Sequence, residues 1–178
     1  MQDEVRAQVL SYLRDHRVVT LATGADGDPW AAAVFYVSDG FRLFFLSSPT
    51  SRHSLNLARN PRVAATIQED YADWLEIKGI QLEGLASEIT GDQEQLARQL
   101  YGEKFPLVGK LAQAPAAIVE AMAKVRWYQV VPERLFFVDN AAGFGRRAEI
   151  DLTQGPPSVA GEALSGQTWK RATERSSS

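Results

Sequence analysis

Between residues 18 and 46 the chain is three apolar runs with only turn-forming residues between them, and this leaves little choice of fold. The first run is Val18-Val19-Thr20-Leu21-Ala22-Thr23, interrupted by Gly24-Ala25-Asp26-Gly27-Asp28-Pro29; residues 30–37 form the second, and Ser38-Asp39-Gly40 leads into the third at 41–46. β-Branched and aromatic residues suit a pleated, half-buried surface, and Gly, Asp and Pro supply the dihedral angles of tight turns. Connections this short join antiparallel neighbours, because a parallel crossover needs a dozen or more residues. An antiparallel meander is the expected start.

Later segments extend it. Residues 63–67 read as a fourth strand, and 77–89 as a long, bent one in which Gly79 and Gly84 mark a bulge or a close backbone approach. Residues 125–131 and 135–139, separated by Pro132-Glu133-Arg134, read as a closing hairpin. Helices fall between and before these strands. Residues 3–16 place Val5, Val9, Tyr12 and Leu13 on one stripe, the pattern of a lid lying on a core. Residues 51–60 carry Leu55, Leu57 and Ala58 at helical spacing and stop at Asn60-Pro61. Asp92 is placed to cap a helix running to about Phe105, and 107–124 reads as one or two short helices interrupted by Gly109 and Pro115. The fold class is mainly β: an antiparallel barrel with helices packed outside it.

A chain of 178 residues that is 45% hydrophobic supports one domain with a real core, expected over 1–150. Residues 151–178 thin to Gly, Pro, Ser, Thr and charge, with Trp169 the only large apolar group. Such a segment buries too little to offset its ordering entropy, so an extended or mobile tail is expected; an arm anchored on a partner subunit by Trp169 is the alternative.

A net charge of −3 and a pI near 5.5, with Lys and Arg dispersed, favour neither nucleic acid nor an anionic membrane surface. No cysteine is present, which excludes disulfides, thiolate catalysis, Cys-ligated zinc and thiol-bound iron–sulfur centres. Redox chemistry must then come from a cofactor. His16 and His53, far apart and without cysteine, give no metal-ligand spacing, and no Ser, His and acid set suggests a hydrolase. Residues 1–14 lack the apolar core of a signal peptide and no stretch reaches membrane-spanning length, so cytoplasmic residence is the default expectation.

The segment with chemistry in it is Ser47-Ser48-Pro49-Thr50-Ser51-Arg52-His53, directly after the third run. A strand stops, turns and opens a helix. The first amides of a helix have no intrahelical partner and carry partial positive charge, so a phosphate dianion is held there by backbone and field together. Arg52 adds a fork of donors, the hydroxyls of Ser47, Ser48, Thr50 and Ser51 add more, and His53 adds a proton-dependent contact. A capped, solvated surface helix is the alternative for the same residues.

Order and spacing of these elements resemble the pyridoxamine 5'-phosphate oxidase superfamily, the FMN-binding split β-barrels. The similarity covers roughly 18–139. It rests on Asp26-Gly27-Asp28-Pro29-Trp30, the run 44–53, Asn60-Pro61-Arg62-Val63, Gln81-Leu82-Glu83-Gly84 and the segment 127–137. The resemblance implies a six-stranded split barrel acting as a homodimer, with FMN at the interface, its phosphate gripped by Arg52 and His53 and by Ser47, Ser48 and Ser51. The family's basic pair is often Arg-Lys, so His53 implies weaker or pH-dependent flavin affinity. The isoalloxazine ring would lie against the strand carrying Ala31, Ala32, Ala33 and Val34, and against Leu46 and Ser47; a crowded interior also explains small residues there. Gln81 would meet the ring edge, although the family's glutamine falls two residues earlier, at Gly79; both positions share one strand face.

Trp30, Trp74, Trp127 and Tyr128 could stack on flavin or substrate, but core packing is the commoner use of such residues. Arg146, after the glycine-flanked Phe144, is a candidate contact for an anionic substrate or a partner subunit. The vitamin-oxidising members carry a C-terminal Trp and Arg-His pattern that this chain lacks, so the resemblance implies fold and cofactor rather than pyridoxamine phosphate as substrate. The implied activity is that of an FMN-dependent oxidoreductase, with a small-molecule substrate or nicotinamide reductant. A non-catalytic flavin- or haem-binding protein and a deazaflavin-dependent reductase are the alternatives, haem requiring His16 or His53 as ligand.

Overall fold

The meander is present and tighter than its turn residues suggest. β1 (Val18–Ala25) and β2 (Asp28–Asp39) extend into the predicted turn until only Asp26 and Gly27 remain, with φ of 54° and 88°. Two consecutive positive φ angles make the type I′ turn whose twist matches a hairpin, and Asp-Gly is its preferred pair. β3 (Arg42–Ser47) follows through Gly40, again at positive φ. The computed structural model describes residues 2–106 and 115–153. The reading of 107–114, including Gly109, and that of the tail after 153, including Trp169, lie outside the described residues.

β4 (Arg62–Gln68), β5 (Lys78–Ile89) and β6 (Arg126–Asp139) complete the sheet, whose order is β3-β2-β1-β4-β5-β6 with β3 also pairing β6. That last pairing closes a six-stranded antiparallel barrel. The expected closing hairpin is instead the single strand β6, 14 residues long. Pro132 does not break it, because it falls opposite Gly84 where the β5–β6 register shifts by one residue. A Cβ on Gly84 would overlap the Val131 carbonyl oxygen, so this glycine makes the room in which the proline and the extra residue are absorbed as a bulge. A short strand that the sequence did not suggest, β7 (Arg147–Glu149), pairs with the outer end of β6.

The barrel interior holds Leu21, Tyr36, Leu43, Phe45, Ile80 and Leu135, all fully buried. α1 (Gln2–Asp15) closes one end with Val9 and Leu13, as the lid reading requires. Each such side chain contributes roughly 1.5–3 kcal/mol by leaving water. The carbonyls at its C-terminus are taken by Tyr36, whose hydroxyl donates to Leu13 O at 2.8 Å, and by Lys104 Nζ, which donates to Leu13 O and His16 O.

A second cluster, Val37, Phe44, Ile89, Ala97, Tyr101 and Trp127, lies outside the barrel under α3 (Asp92–Lys104). Asp92 is not its cap. Gly91, at φ 63°, occupies that position without a side-chain bond, and Asp92 and Glu94 complement the helix dipole from the first turn. α2 (Arg52–Arg59) and α4 (Ala116–Ala123) are the remaining helices. Among the described residues no helix is long and apolar enough to cross a membrane.

Candidate functional site

The strand-to-helix junction is built from its own hydroxyls. Ser47 is buried at the end of β3, and its Oγ lies 3.0 Å from Ser51 Oγ and 2.7 Å from His53 Nε2. Ser51 is the N-cap of α2, its Oγ accepting from Ser54 N at 3.3 Å and donating to Ser54 Oγ at 2.9 Å. The first intrahelical bond runs from Leu55 N to Ser51 O, so the amides of Arg52 and His53 precede the ladder. Ser48 and Thr50 join hydroxyls at 2.9 Å in the exposed turn before the cap.

The helix does not sit as its leucines suggest. Leu55 is 53% exposed and Ala58 is exposed, while Ser54, Asn56 and Leu57 are buried. Asn56 Nδ2 donates to Thr23 Oγ1 at 3.2 Å inside the protein, which ties α2 to β1 and overrides the apolar spacing. This bond fixes the height of the helix N-terminus above the sheet.

Arg52 and His53 differ in charge. Burial lowers the pKa of His53 from its ordinary value, which favours the uncharged ring beside Ser47 and Ser51. Arg52 is the permanent cation of the junction. Its guanidinium lies 4.6 Å from the centre of the Trp30 ring, and among the described residues it pairs with no carboxylate. Trp30 is therefore not a core residue: it is 39% exposed and supports Arg52 from the start of β2. Trp74, at 71% exposure, also leaves the core, whereas Trp127 and Tyr128 are buried in it.

Next to this junction lies a low floor. Ala31 and Ala33 point outward from β2 and are exposed, while Ala32 and Val34 face inward and are half-buried. Ala31 pairs with Ala22 and Ala22 with Ala64; Ala33 pairs with Thr20, Thr20 with Thr66, and Thr66 with Gln81. Paired residues share a sheet face, so two rows of Ala and Thr run across β2, β1 and β4, and on β5 the first meets Glu83 and the second exposed Gln81. Leu46, another expected contact, is half-buried at the end of β3. Its side chain packs on the edge of the second core cluster, yet on the same outer sheet face as the floor, because Leu46 shares a side with Phe44, Phe44 pairs with Val37, and Val37 shares a side with Ala33 and Ala31; the expected contacts that turn away are Ala32 and Val34.

The structure thus brings Ser47, Ser51, Arg52 and His53 together, with Ser48 on the exposed rim, and sets Ala31, Ala33 and Gln81 on one adjoining face. Sequence reading missed the Trp30 support, the Asn56 tether and β7. The alternating small residues at 20, 22, 31, 33, 64 and 66 were the signal that could have revealed the floor.

A closed six-stranded antiparallel barrel with helices packed around it defines the class of fold. The family described as pyridoxamine 5'-phosphate oxidase matches residues 2–139, and the chain belongs to that family. A UPF0306 protein of Yersinia pestis (biovar Antiqua, strain Angola) is 36% identical over 138 residues, covering 76% of this chain and 86% of that protein. Among solved structures, a heme binding protein from Mycobacterium smegmatis superposes with a TM-score of 0.62 at 24% identity, over 81% of this chain and 55% of that one. HutZ, a heme storage protein from Vibrio cholerae, gives 0.58 at 24% identity over 73% and 92%. A putative pyridoxamine 5'-phosphate oxidase from Listeria innocua gives 0.57 at 20% identity over 76% and 98%. At these identities the structures share the fold with this chain.

Proposed function

We propose that the protein is an FMN-dependent oxidoreductase, a cytoplasmic homodimer with the flavin in its interface, acting on a small molecule or a nicotinamide reductant. The observation that carries this reading is the junction itself: the only permanent cation there, Arg52, stands without an acidic partner among the described residues, next to a hydroxyl cluster and the opening amides of α2. Those groups suit a phosphate dianion. The adjoining floor of Ala31, Ala33, Ala22 and Ala64 suits a planar ring, since no side chain longer than a methyl stands between the ring and the backbone along that row. Bound flavin would supply the electron chemistry that a chain without cysteine lacks.

Exposed Phe35, at 58%, and Val18, at 43%, border the floor and supply the apolar surface that a second subunit would cover. The haem alternative has less support from the geometry. His16 is already engaged at both ring nitrogens, 2.7 Å from Tyr12 O and 2.7 Å from Glu69 Oε1, and the Nε2 of His53 serves two serine hydroxyls. A deazaflavin would use the same junction. The test is the absorption spectrum of the purified protein and the mass of the ligand it releases, followed by anaerobic reduction with NADH or NADPH. Flavin bands and the mass of FMN are expected; a Soret band, or a colourless protein that takes up no added FMN, contradicts the reading.

A further inference from the structure

Gln81 does not stand alone on the outer face of β5. From β7, whose Arg147 pairs with Val138 of β6, the Arg147 guanidinium reaches across and donates from Nε to Gln81 Oε1 at 3.0 Å. A guanidinium only donates, so this bond fixes which way the amide points: oxygen toward Arg147, nitrogen away from it. A second amide nearby is held in the same sense, Gln68 Oε1 accepting from Thr66 Oγ1 at 2.8 Å. Between them lies a cleft of about 260 Å³, lined by Thr66, Gln68, Lys78, Gly79, Gln81 and Val138 among others. Both amide oxygens are occupied from within the protein. What the cleft retains for a ligand is donors: two amide nitrogens and the Lys78 ammonium, which is 3.7 Å from Asp139.

Gly79 explains why the amide comes from position 81. A Cβ at residue 79 would lie 2.9 Å from Ile67 O and 3.3 Å from Gln68 Cβ, so no side chain fits there unless the backbone of β4 shifts. Gln81 is the next residue on the same face, and it needs an external partner to be fixed because it is exposed.

We propose that Arg147 is a positioning residue that locks Gln81 with its amide N–H groups turned into this cleft, where the family resemblance already puts the edge of the flavin ring. This rests on the flavin reading above. Donors at that edge favour the reduced ring, whose carbonyl oxygens gain negative charge on reduction.

The test compares Arg147→Ala, Arg147→Lys, Gln81→Glu and Arg52→Ala by FMN titration, thermal melting, and the flavin's visible spectrum and reduction potential. Arg147→Ala should weaken FMN about fivefold to tenfold, the effect of one mispositioned hydrogen bond. Gln81→Glu, which offers the carbonyls an acceptor in place of a donor, should weaken it roughly thirtyfold. Both should lower the potential and shift the visible band with the melting temperature unchanged, and Arg147→Lys should recover most of the potential. Wild-type potential and spectrum in Arg147→Ala and Gln81→Glu, with Arg52→Ala still impaired, overturn this proposal and leave the flavin reading standing. An affinity loss in Arg147→Ala without a change in potential or band assigns Arg147 a structural role and also overturns it. Failure of the wild-type protein to bind FMN removes both.

Discussion

Arg52 and His53 are adjacent in sequence but do different electrostatic work. Arg52 is a fixed cation braced by Trp30; burial lowers the pKa of His53 and favours its neutral form, and its Nε2 organises the serines. A bound phosphate dianion stabilises the imidazolium, so binding FMN at neutral pH draws a proton onto His53. Affinity should therefore rise as pH falls through neutrality, before the phosphate itself begins to take up its second proton near 6. Titrations across that range should show this trend in the wild type. His53→Lys, a permanent cation, should bind roughly fivefold tighter at pH 8 and lose the dependence; a wild-type affinity that is flat with pH contradicts the assignment. The make-up of this junction was legible from residues 47–53 alone, because capping hydroxyls, an arginine and a helix start occur in one short segment. The Trp30 contact was not, since it joins residues 22 apart in sequence through strand pairing.

Among the elements, β5 and β6 show most clearly where sequence patterns stop being sufficient. The bend in β5 was legible from Gly79 and Gly84, but Pro132 argued for a turn in what is one continuous strand. Proline at a bulge needs only that its neighbour lack a side chain, and that neighbour, Gly84, is 48 residues away in sequence. Gly84→Ala should destabilise the protein by about 3 kcal/mol, the upper end of the overpacking range, because its methyl would overlap the Val131 carbonyl. Denaturant unfolding measures this; a cost below about 1 kcal/mol would mean that β6 is not held against Gly84 as described. The same limit applies to α2. Leu55 and Ala58 gave the expected apolar face, but a buried Asn56–Thr23 bond between separate elements decides the orientation.

Taken whole, the barrel is closed by strands and stoppered by helices, and two features link its stability to solution conditions and to a partner. Lys104 joins α3 to the end of α1, and burial, reinforced by Arg17 and opposed by Asp15, lowers its pKa to about 8 from 10.5. The unfolded chain then binds more protons between those values, so stability should rise with pH from about 8 to 10.5, and Lys104→Met should flatten that rise in unfolding measured at each pH. If the slope survives the substitution, another group is responsible. On the homodimer reading the apolar margin around the floor is what the second subunit covers: Phe35→Asp should then give a monomer by light scattering with weakened FMN binding, and an unaffected dimer would place the interface elsewhere. The antiparallel meander and the barrel were legible because short turns and alternation leave few topologies; the order of the later strands and the shared outer face were not, because they depend on pairings between distant segments. The central claim is that the start of α2 holds a phosphate, and the ratio of FMN to riboflavin affinity isolates that end of the ligand. Calorimetric titration should give FMN at least a hundredfold advantage in the wild type, falling by about 1.5–3 kcal/mol in Arg52→Ala. Equal affinities for FMN and riboflavin, or a ratio untouched by Arg52→Ala, would contradict it.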